Sequence, residues 1–204
     1  MRKQLLALSV MFGLLSLVLA PIASAQRTPP AETYLSARPN PFEISLGYNY
    51  INVPDAEPLD DLHGFNVSAF YNWSSWLAFG GEFMAGFGTT HFGGADGELD
   101  LLLGAVGPRL SAYPAQQLRV FTQALVGGVH GDAEISRGSF RTSSSDDGFA
   151  VVAGVGADWR LTRQFSWRVL QADYIGTNFS SFGSGEWDHS WRVSTGIVFS
   201  FGGR

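Results

Sequence analysis

The dominant pattern along this chain is an alternation of apolar with small or polar side chains at every second position. In residues 42–51, FEISLGYNYI, one set of alternate positions is aromatic or aliphatic and the other is small or polar. A period of two places successive side chains on opposite faces of a β-strand, so such a run predicts a strand with one apolar face. Eight runs share this pattern, at 42–51, 64–73, 76–87, 99–113, 118–129, 149–160, 165–175 and 191–201.

The connections between these runs alternate in length. Short turns are predicted near residues 74, 115 and 162, and longer loops rich in glycine, serine and acids at 53–62, 88–97, 130–148 and 177–189. Alternating short and long connections are typical of an up-and-down meander. The predicted fold is therefore all-β, an eight-stranded antiparallel up-and-down transmembrane β-barrel. The phase of 118–129 is ambiguous, and we favour Arg119 and Gln123 inside.

The choice between a membrane barrel and a soluble secreted barrel depends on which face meets water. The face opposite the aromatic residues carries glycine, serine and asparagine, and no lysine follows Lys3. Such a face suits a narrow lumen better than a water-exposed surface. Aromatic side chains form two predicted belts, as expected at the two membrane interfaces. One belt lies beside the short turns (Trp73, Trp76, Tyr113, Trp159, Phe165, Trp167) and one near the long loops (Phe65, Phe87, Phe92, Phe149, Tyr174, Trp191).

The N-terminus has the three parts of a secretory signal peptide. Arg2 and Lys3 precede the apolar stretch 5–20, and Ala23-Ser24-Ala25 supplies a small-x-small cleavage site. We predict a signal peptide at 1–25, an extended N-terminal segment at 26–40 and the barrel domain at 41–204. A retained helical anchor is the alternative, although a stretch of 16 residues is short for a membrane-spanning helix.

Composition narrows the classes of function. The chain of 204 residues is 45% hydrophobic and only 15% charged, and it has no cysteine. These values argue against a disulfide framework, a thiolate metal site and a nucleic-acid-binding protein. Without the predicted signal peptide, 11 arginines face 18 acids, which gives a formal charge of −7.

The last predicted strand carries the most specific family resemblance. Residues 194–201, STGIVFSF, look like the polar-x-Gly-x-x-aromatic-x-aromatic signal of small eight-stranded outer-membrane barrels, the outer membrane protein A/X transmembrane-domain superfamily. Segments 107–114 and 154–179 also look like such barrels. The resemblance implies outer-membrane lipid and lipopolysaccharide as surroundings and the barrel assembly machinery as a partner during biogenesis. The implied assembly-signal residues are Ser194, Gly196, Phe199 and Phe201, although Gly202-Gly203-Arg204 follow the final aromatic residue.

Several charged residues fall on the predicted inner face. Besides Glu43, they form a predicted barrel-interior charge network of Glu82, Arg109, Asp158, Arg160, Asp173 and Arg192. An unpaired buried charge costs several kcal/mol, so we expect ion pairs inside the lumen. We predict Asp173 with Arg192 and Glu82 with Arg109. The alternative is that lumen water hydrates each charge separately.

Most acids lie in or beside the predicted long loops, where an extracellular ligand or weakly held calcium or magnesium would meet them. These acids are Asp55, Glu57, Asp60, Asp61, Asp96, Glu98, Asp100, Asp132, Glu134, Asp146, Asp147, Glu186 and Asp188. No spacing matches a dedicated calcium loop, so a solvated acidic surface is favoured. Four histidines also lie near the long-loop ends of strands, namely His63, His91, His130 and His189.

The sequence favours a non-enzymatic, monomeric outer-membrane protein with a structural, adhesive or surface-interaction role and a lumen mostly filled by side chains. We predict no catalytic residue, cofactor, metal or nucleic-acid partner. One alternative is a lipid A-modifying enzyme, which would need a histidine and a serine in contact. His189 and Ser190 are adjacent and would point to opposite faces of a strand. A narrow pore is a further alternative.

Overall fold

Eight antiparallel strands form a closed barrel in the described part of the chain, with each strand bonded to its neighbours in chain order and the first bonded to the last. The computed structural model describes residues 40–52, 62–92, 95–137, 140–179 and 187–202. The strands are β1 (Phe42–Asn52), β2 (Leu62–Asn72), β3 (Leu77–Phe92), β4 (Ala95–Ala112), β5 (Leu118–Arg137), β6 (Phe140–Arg160), β7 (Phe165–Phe179) and β8 (Asp188–Phe201). The predicted fold class is confirmed.

Some predicted segments lie outside these residues. They include the signal peptide at 1–25, nearly all of the extended segment 26–40, and most of the loop 53–62. Within the described ranges, no helix is long and apolar enough to cross a membrane. The three short turns are present, at 73–76, 113–117 and 161–164.

Two of the predicted loops are wrong, because strand continues through most of them. β3 and β4 pair as far as Phe92 and Ala95, and β5 and β6 as far as Arg137 and Phe140. Above the barrel both faces of a hairpin can meet water, so polar side chains are tolerated at every position and the apolar alternation disappears. The backbone hydrogen bonds between the strands continue although this alternation has disappeared. Two long hairpins therefore extend from one end of the barrel, here called the hairpin end, opposite the short-turn end.

The predicted inner and outer faces agree with the observed burial. On β1, Glu43, Ser45 and Asn49 are buried in the lumen, while Phe42 and Leu46 are exposed on the outside. The ambiguous phase of β5 is settled in favour of the predicted inner face. Gln123 is buried, together with the apolar side chains of β5 that face the lumen, and Val126 is exposed.

The register fixes how the lumen positions are staggered. One rung of paired residues leads from Ile51 on β1 through Arg192, Asp173, Gly154, Gln123, Arg109 and Ala78 to Asn72 on β2. The amide of Asn72 donates to the carbonyl of Pro41, ten residues before Ile51. The strands are therefore tilted relative to the barrel axis. Lumen residues at equal height along that axis are offset by about one residue per strand from this row of paired residues. Charged side chains from distant parts of the sequence reach neighbouring heights in this way.

Exposed aromatic residues encircle the barrel at both ends. The exposed set beside the short turns is Trp73, Trp76, Tyr113, Trp159, Phe165 and Trp167, and that toward the hairpin end includes Phe65, Phe87 and Phe149. Trp187 extends the second belt by packing edge-on against Phe149. Two aromatic belts flanking an apolar band are the outer surface of a membrane barrel.

Candidate functional site in the barrel lumen

The lumen is occupied by two clusters of charged side chains. The lower cluster, toward the short turns, contains Glu43, Arg109, Arg119, Asp158 and Arg168. The upper cluster contains Glu82, Asp173 and Arg192. They face inward from seven different strands, and all except Arg119 are at most 5% exposed.

In the lower cluster, each carboxylate is shared by more than one guanidinium group. Arg109 Nη1 donates to Glu43 Oε1 at 2.8 Å, and Arg119 Nη2 donates to the same oxygen at 2.8 Å. Arg119 Nε and Arg168 Nε donate to the two oxygens of Asp158, at 3.0 and 2.9 Å. Because Glu43 on β1 is bonded by residues on β4 and β5, these pairs cross the lumen rather than follow one wall.

Aromatic rings cover the guanidinium groups of this cluster. The Arg109 guanidinium carbon lies 3.6 Å from the centroid of the Phe70 ring and 4.5 Å from that of Phe121. Arg168 lies 4.8 Å from the same Phe121 ring. Contact with a ring face stabilises a cation that has been removed from water. Phe70 and Phe121 therefore face the lumen, where their rings pack on arginine side chains.

The upper cluster is centred on Arg192. Its Nε and Nη2 donate to Asp173 Oδ2 at 3.0 and 2.7 Å, and its Nη1 forms an ion pair with Glu82. Two carboxylates therefore share one arginine. Neutral side-chain amides donate further hydrogen bonds to these two carboxylates.

Two glutamines join the clusters. Gln123 Oε1 accepts from Arg109 Nη2 at 2.9 Å, and its Nε2 donates to Asp173 Oδ1 at 3.0 Å. Gln171 likewise accepts from Arg168 Nη1 at 2.9 Å and donates to Asp173 Oδ2 at 2.9 Å. A glutamine amide both accepts and donates, so it can connect a cation to an anion. The lumen contains one continuous hydrogen-bonded network.

The structure brings together one predicted pair and separates the other. Asp173 and Arg192 are opposite each other on β7 and β8 and are bonded. Glu82 and Arg109 do not form an ion pair, because the register of β3 and β4 places Arg109 opposite Ala78, four residues along the strand from Glu82.

One predicted member of the network lies outside it. Two arginines belong to the network without having been predicted as members, namely Arg119, which was predicted only to face inward, and Arg168. Arg160 points inward at the short-turn rim, with its guanidinium carbon 6.0 Å from the centroid of the Tyr113 ring, and forms no ion pair with the described residues. Arg168 was missed because the register shifts between Arg168 and Gln171. This bulge leaves Val169 and Leu170 both exposed and brings an even-numbered and then an odd-numbered residue into the lumen. No strict alternation could have identified it.

The residues of the predicted assembly signal occupy both faces of β8. Ser194 is buried in the lumen, and Gly196 lies opposite Gly47 of β1. Phe199 points outward near the short turns, where its ring centroid is 5.0 Å from that of Phe165 and 5.6 Å from that of Phe201. Their role in assembly remains a prediction.

Three histidines whose side chains the structure describes face outward near the hairpin end, and the side chain of the predicted fourth, His91, lies outside the described ones. The Nδ1 atoms of His63 and His189 are hydrogen-bonded to the hydroxyls of Tyr48 and Tyr174. His130 Nδ1 lies 2.7 Å from Asp147 Oδ1. The hydrogen bond to Asp147 is the main reason that the pKa of His130 is raised above its ordinary value.

The histidine contacts bear on the metal and enzyme alternatives. Among the described residues, no group of three histidine or acidic side chains is arranged to hold a metal ion. His189 bonds outward to Tyr174, whereas Ser190 has the parity of the inward-facing Arg192. The arrangement of β8 therefore offers no contact between this imidazole and the adjacent hydroxyl.

The short-turn end has a small opening toward the lower cluster. It is a cavity of about 40 Å³, which is room for one or two water molecules. Its lining includes Glu43, Arg119, Asp158 and Arg160. Arg119 is 12% exposed, so the lower cluster is reached from this end.

Comparison with known proteins agrees with this architecture. The chain is similar to Ail, the attachment invasion locus protein of Yersinia pestis, at 17% identity and a TM-score of 0.51, over 78% of this chain and 96% of Ail. For Ail in complex with the heparin analogue sucrose octasulfate, the identity is 18% and the TM-score 0.51, over 79% of this chain and 99% of that one. For Neisserial surface protein A, the identity is 13% and the TM-score 0.56, over 78% of this chain and 97% of that one. At these identities the likeness shows the fold alone.

No curated protein matches the chain. The family model named outer membrane protein beta-barrel domain, however, matches residues 12–199, which is nearly all of the chain. This match, together with the closed eight-stranded barrel and its two aromatic belts, indicates the outer membrane as its location. The chain belongs to the outer membrane protein β-barrel domain family.

Proposed function

We propose that this protein is a non-enzymatic structural barrel of the outer membrane, exported by a signal peptide at 1–25, which interacts with extracellular partners through its hairpins. The observation that carries the proposal is the continuous network of ion pairs across the lumen. A barrel whose interior is filled in this way serves as a rigid scaffold for what projects from it.

The network leaves little room for conduction. Arg109 and Arg119 reach across from β4 and β5 to Glu43 on β1, and the two linking glutamines fill the space between the clusters. A permeating ion would have to break these pairs at a narrow point. Purified protein in planar bilayers is therefore expected to show no single-channel conductance. Regular channel openings by the wild-type protein would contradict a closed lumen.

The surface role rests on the two long hairpins. The outer-face positions of β4 and β5 bring Asp100 directly opposite Asp132, and Asp147 follows on β6. A partner for such a surface is expected to be basic. Ail has been crystallised with a polysulfated heparin analogue. The acidic hairpins here favour ligands of the opposite charge.

Shortening the hairpins one at a time tests this role. Replacing 132–145 with Asn-Gly joins the paired residues Gly131 and Asp146 through a two-residue turn. The variant is expected to keep heat-modifiable gel mobility and to lose binding in a screen of basic proteins and host-cell surfaces. An equivalent shortening of the β3–β4 hairpin is the matched control. Unchanged binding by both variants would contradict the proposal.

Mass spectrometry of lipid A with and without expression tests the enzyme alternative. We expect no change in lipid A.

A further inference from the structure

The short-turn end of the barrel holds more positive than negative charge. In the described part of the chain, the acids at this end are Glu43 and Asp158, both in the lower cluster. The arginines at this end are Arg109, Arg119, Arg160, Arg163 and Arg168. Five arginines against two acids leave a surplus of three positive charges. One belongs to the lower cluster, and the other two belong to Arg160 and Arg163, here called the rim arginines.

The acids of this end are not available to the rim arginines. Each carboxylate of the lower cluster already accepts hydrogen bonds from two guanidinium groups within that cluster. Arg160 is half-buried on β6, and Arg163 is exposed in the turn 161–164. Neither side chain forms an ion pair or a hydrogen bond with the residues that the structure describes. Their N–H groups are therefore free to bind a ligand.

Both rim arginines line the small cavity at the short-turn end. The guanidinium carbon of Arg160 lies 6.0 Å from the centroid of the Tyr113 ring. A guanidinium group that meets a ring through its flat face keeps the N–H groups at its edge free to donate. Neutral polar side chains complete much of the lining, among them Gln116, Gln117, Ser166 and Ser200.

Hydrogen bonds to the backbone hold the rim in place. Asn40 Nδ2 donates to the carbonyl oxygens of Arg163 and Ser200, both at 3.1 Å. Asn72 Nδ2 in turn donates to the carbonyl oxygen of Asn40 at 2.7 Å. The turn that carries Arg163 is thus tied to the ends of β2 and β8. A site whose backbone is already ordered loses less conformational freedom when a ligand binds.

The surroundings of the cavity favour an anion. The wall around the lower cluster faces lipid, so the field of its extra guanidinium group is weakly screened in that direction. A cleft with low-dielectric walls and one sign of charge concentrates ions of the opposite sign at its mouth. The upper cluster has the opposite surplus, because two carboxylates share one arginine there, but it lies farther from this opening.

The size of the cavity and its donors favour a carboxylate. The volume of about 40 Å³ has room for one or two water molecules, which the two oxygens of a carboxylate can replace. A phosphate group carries four oxygens and needs more room. A guanidinium group also binds both oxygens of a carboxylate through two parallel N–H bonds.

We propose that Arg160 and Arg163 bind the carboxylate group of a small solute at the periplasmic mouth of the barrel. Short turns face the periplasm in barrels of this kind, which places the solute in that compartment. The bound carboxylate offsets part of the surplus charge and leaves the ion pairs of the lumen network intact. The site lies at the opposite end from the hairpins, so the inference goes beyond the proposed surface role and does not depend on it.

Acetate is the probe for this site, with the full chain in nanodiscs of phosphatidylcholine. Saturation transfer to the acetate methyl group measures binding, and chloride keeps the ionic strength constant. We expect the wild-type protein to bind acetate, and Arg160→Gln and Arg163→Gln each to weaken binding by about fivefold or more. R137Q/R141Q removes two arginines from the opposite end and is the matched control, which should bind as the wild-type protein does.

Unchanged heat-modifiable gel mobility shows that each variant is folded. No transfer to acetate with the wild-type protein, or equal binding by the rim variants and the wild-type protein, would overturn the proposal. Weaker binding by R137Q/R141Q than by the rim variants would place the anion at the hairpin end and overturn it as well.

Phosphate and anionic lipid are the competing ligands. Formate should displace acetate at lower concentration than inorganic phosphate does, at a pH where all three are monoanions. More effective displacement by phosphate would refute the carboxylate assignment. Adding phosphatidylglycerol to the nanodiscs should leave acetate binding unchanged. Loss of acetate binding there would show that a lipid headgroup occupies the mouth and would overturn the solute as its ligand.

Discussion

At the scale of single residues, each buried lumen carboxylate is held by an arginine. Four carboxylates, those of Glu43, Glu82, Asp158 and Asp173, meet four arginines in the described part of the lumen. Burying a charge is tolerated only when its partner is in place. The stability of the barrel therefore depends on the complete set of ion pairs. Removing one partner is expected to destabilise the barrel far more than removing a charge at the rim.

Arg192→Met tests this expectation at the upper cluster. The substitution leaves Glu82 and Asp173 without their cation while both stay buried. We expect a loss of about 3–5 kcal/mol in the free energy of unfolding, seen as a lower midpoint of heat-modifiable gel mobility in detergent. Arg160→Met, at the rim and outside the network, is the control and should leave the midpoint nearly unchanged. An unaltered midpoint for Arg192→Met would count against the network.

His130 gives a pH dependence at the hairpin end, just beyond the aromatic belt. Its Nδ1 bonds to Asp147 and its Nε2 lies 3.2 Å from Asp132 Oδ2, and the resulting pKa is raised in the folded state. A raised folded pKa stabilises the protonated form. The contribution is therefore complete below the unfolded pKa of about 6.5 and is lost as the pH rises through the folded value.

Comparison of the wild-type protein with His130→Gln should show this dependence. The wild-type Tm is expected to exceed that of the variant at pH 5, and the difference should vanish by about pH 9, above the ordinary range of histidine. NMR titration of the imidazole measures the pKa itself. A difference in Tm that grows with pH would be inconsistent with the acidic contacts of His130.

At the scale of the strands, glycines allow neighbouring backbones to approach closely at lumen-facing positions. A Cβ added to Gly64 would lie 1.8 Å from the carbonyl oxygen of Ala85 on β3. Gly104 on the outer face is different, because a Cβ there would meet nothing within 4 Å. The same residue type is thus structurally required at one position and free to change at the other.

Gly64→Ala and Gly104→Ala form a matched pair that separates these cases. The first must displace backbone and should cost roughly 1–3 kcal/mol and lower the folded yield in detergent. The second should be neutral or stabilising by up to about 1 kcal/mol, since glycine weakens a strand interior. Folded fractions on unheated gels measure both. Equal yields for the two variants would contradict the close approach of β2 and β3.

Strand order and the inner and outer faces could be predicted from the sequence because apolar alternation is imposed at every position that meets lipid. Inside the lumen no such rule applies, so inward-facing Phe70, Met84 and Leu103 carried no signal. The register of β3 and β4, which separates Glu82 from Arg109, is also absent from the pattern, because a shift of two residues preserves it. The bulge of β7 also breaks the alternation, so the pattern did not predict that Arg168 faces the lumen.

At the scale of the whole molecule, charge is distributed unevenly along the barrel axis. The three short turns contain one charged residue, Arg163, whereas the β5–β6 hairpin by itself exposes two carboxylates, those of Asp132 and Asp147. Short turns face the periplasm and longer connections the cell exterior in barrels of this kind. In that orientation the exterior surface is acidic, and its arginines among residues 41–202 are Arg137 and Arg141.

This distribution makes limited proteolysis a sharp test of orientation. Trypsin cleaves after lysine and arginine, and no lysine follows Lys3. Added to intact cells, trypsin should therefore cut only after Arg137 and Arg141, giving two large fragments that remain associated until they are heated. R137Q/R141Q should resist cleavage completely. Cleavage after Arg160 or Arg163 in intact cells would place the short turns outside and reverse the orientation. Permeabilising the outer membrane should add cleavage after Arg163, which lies in a short turn, whereas the arginines of the lumen network stay buried until the barrel unfolds.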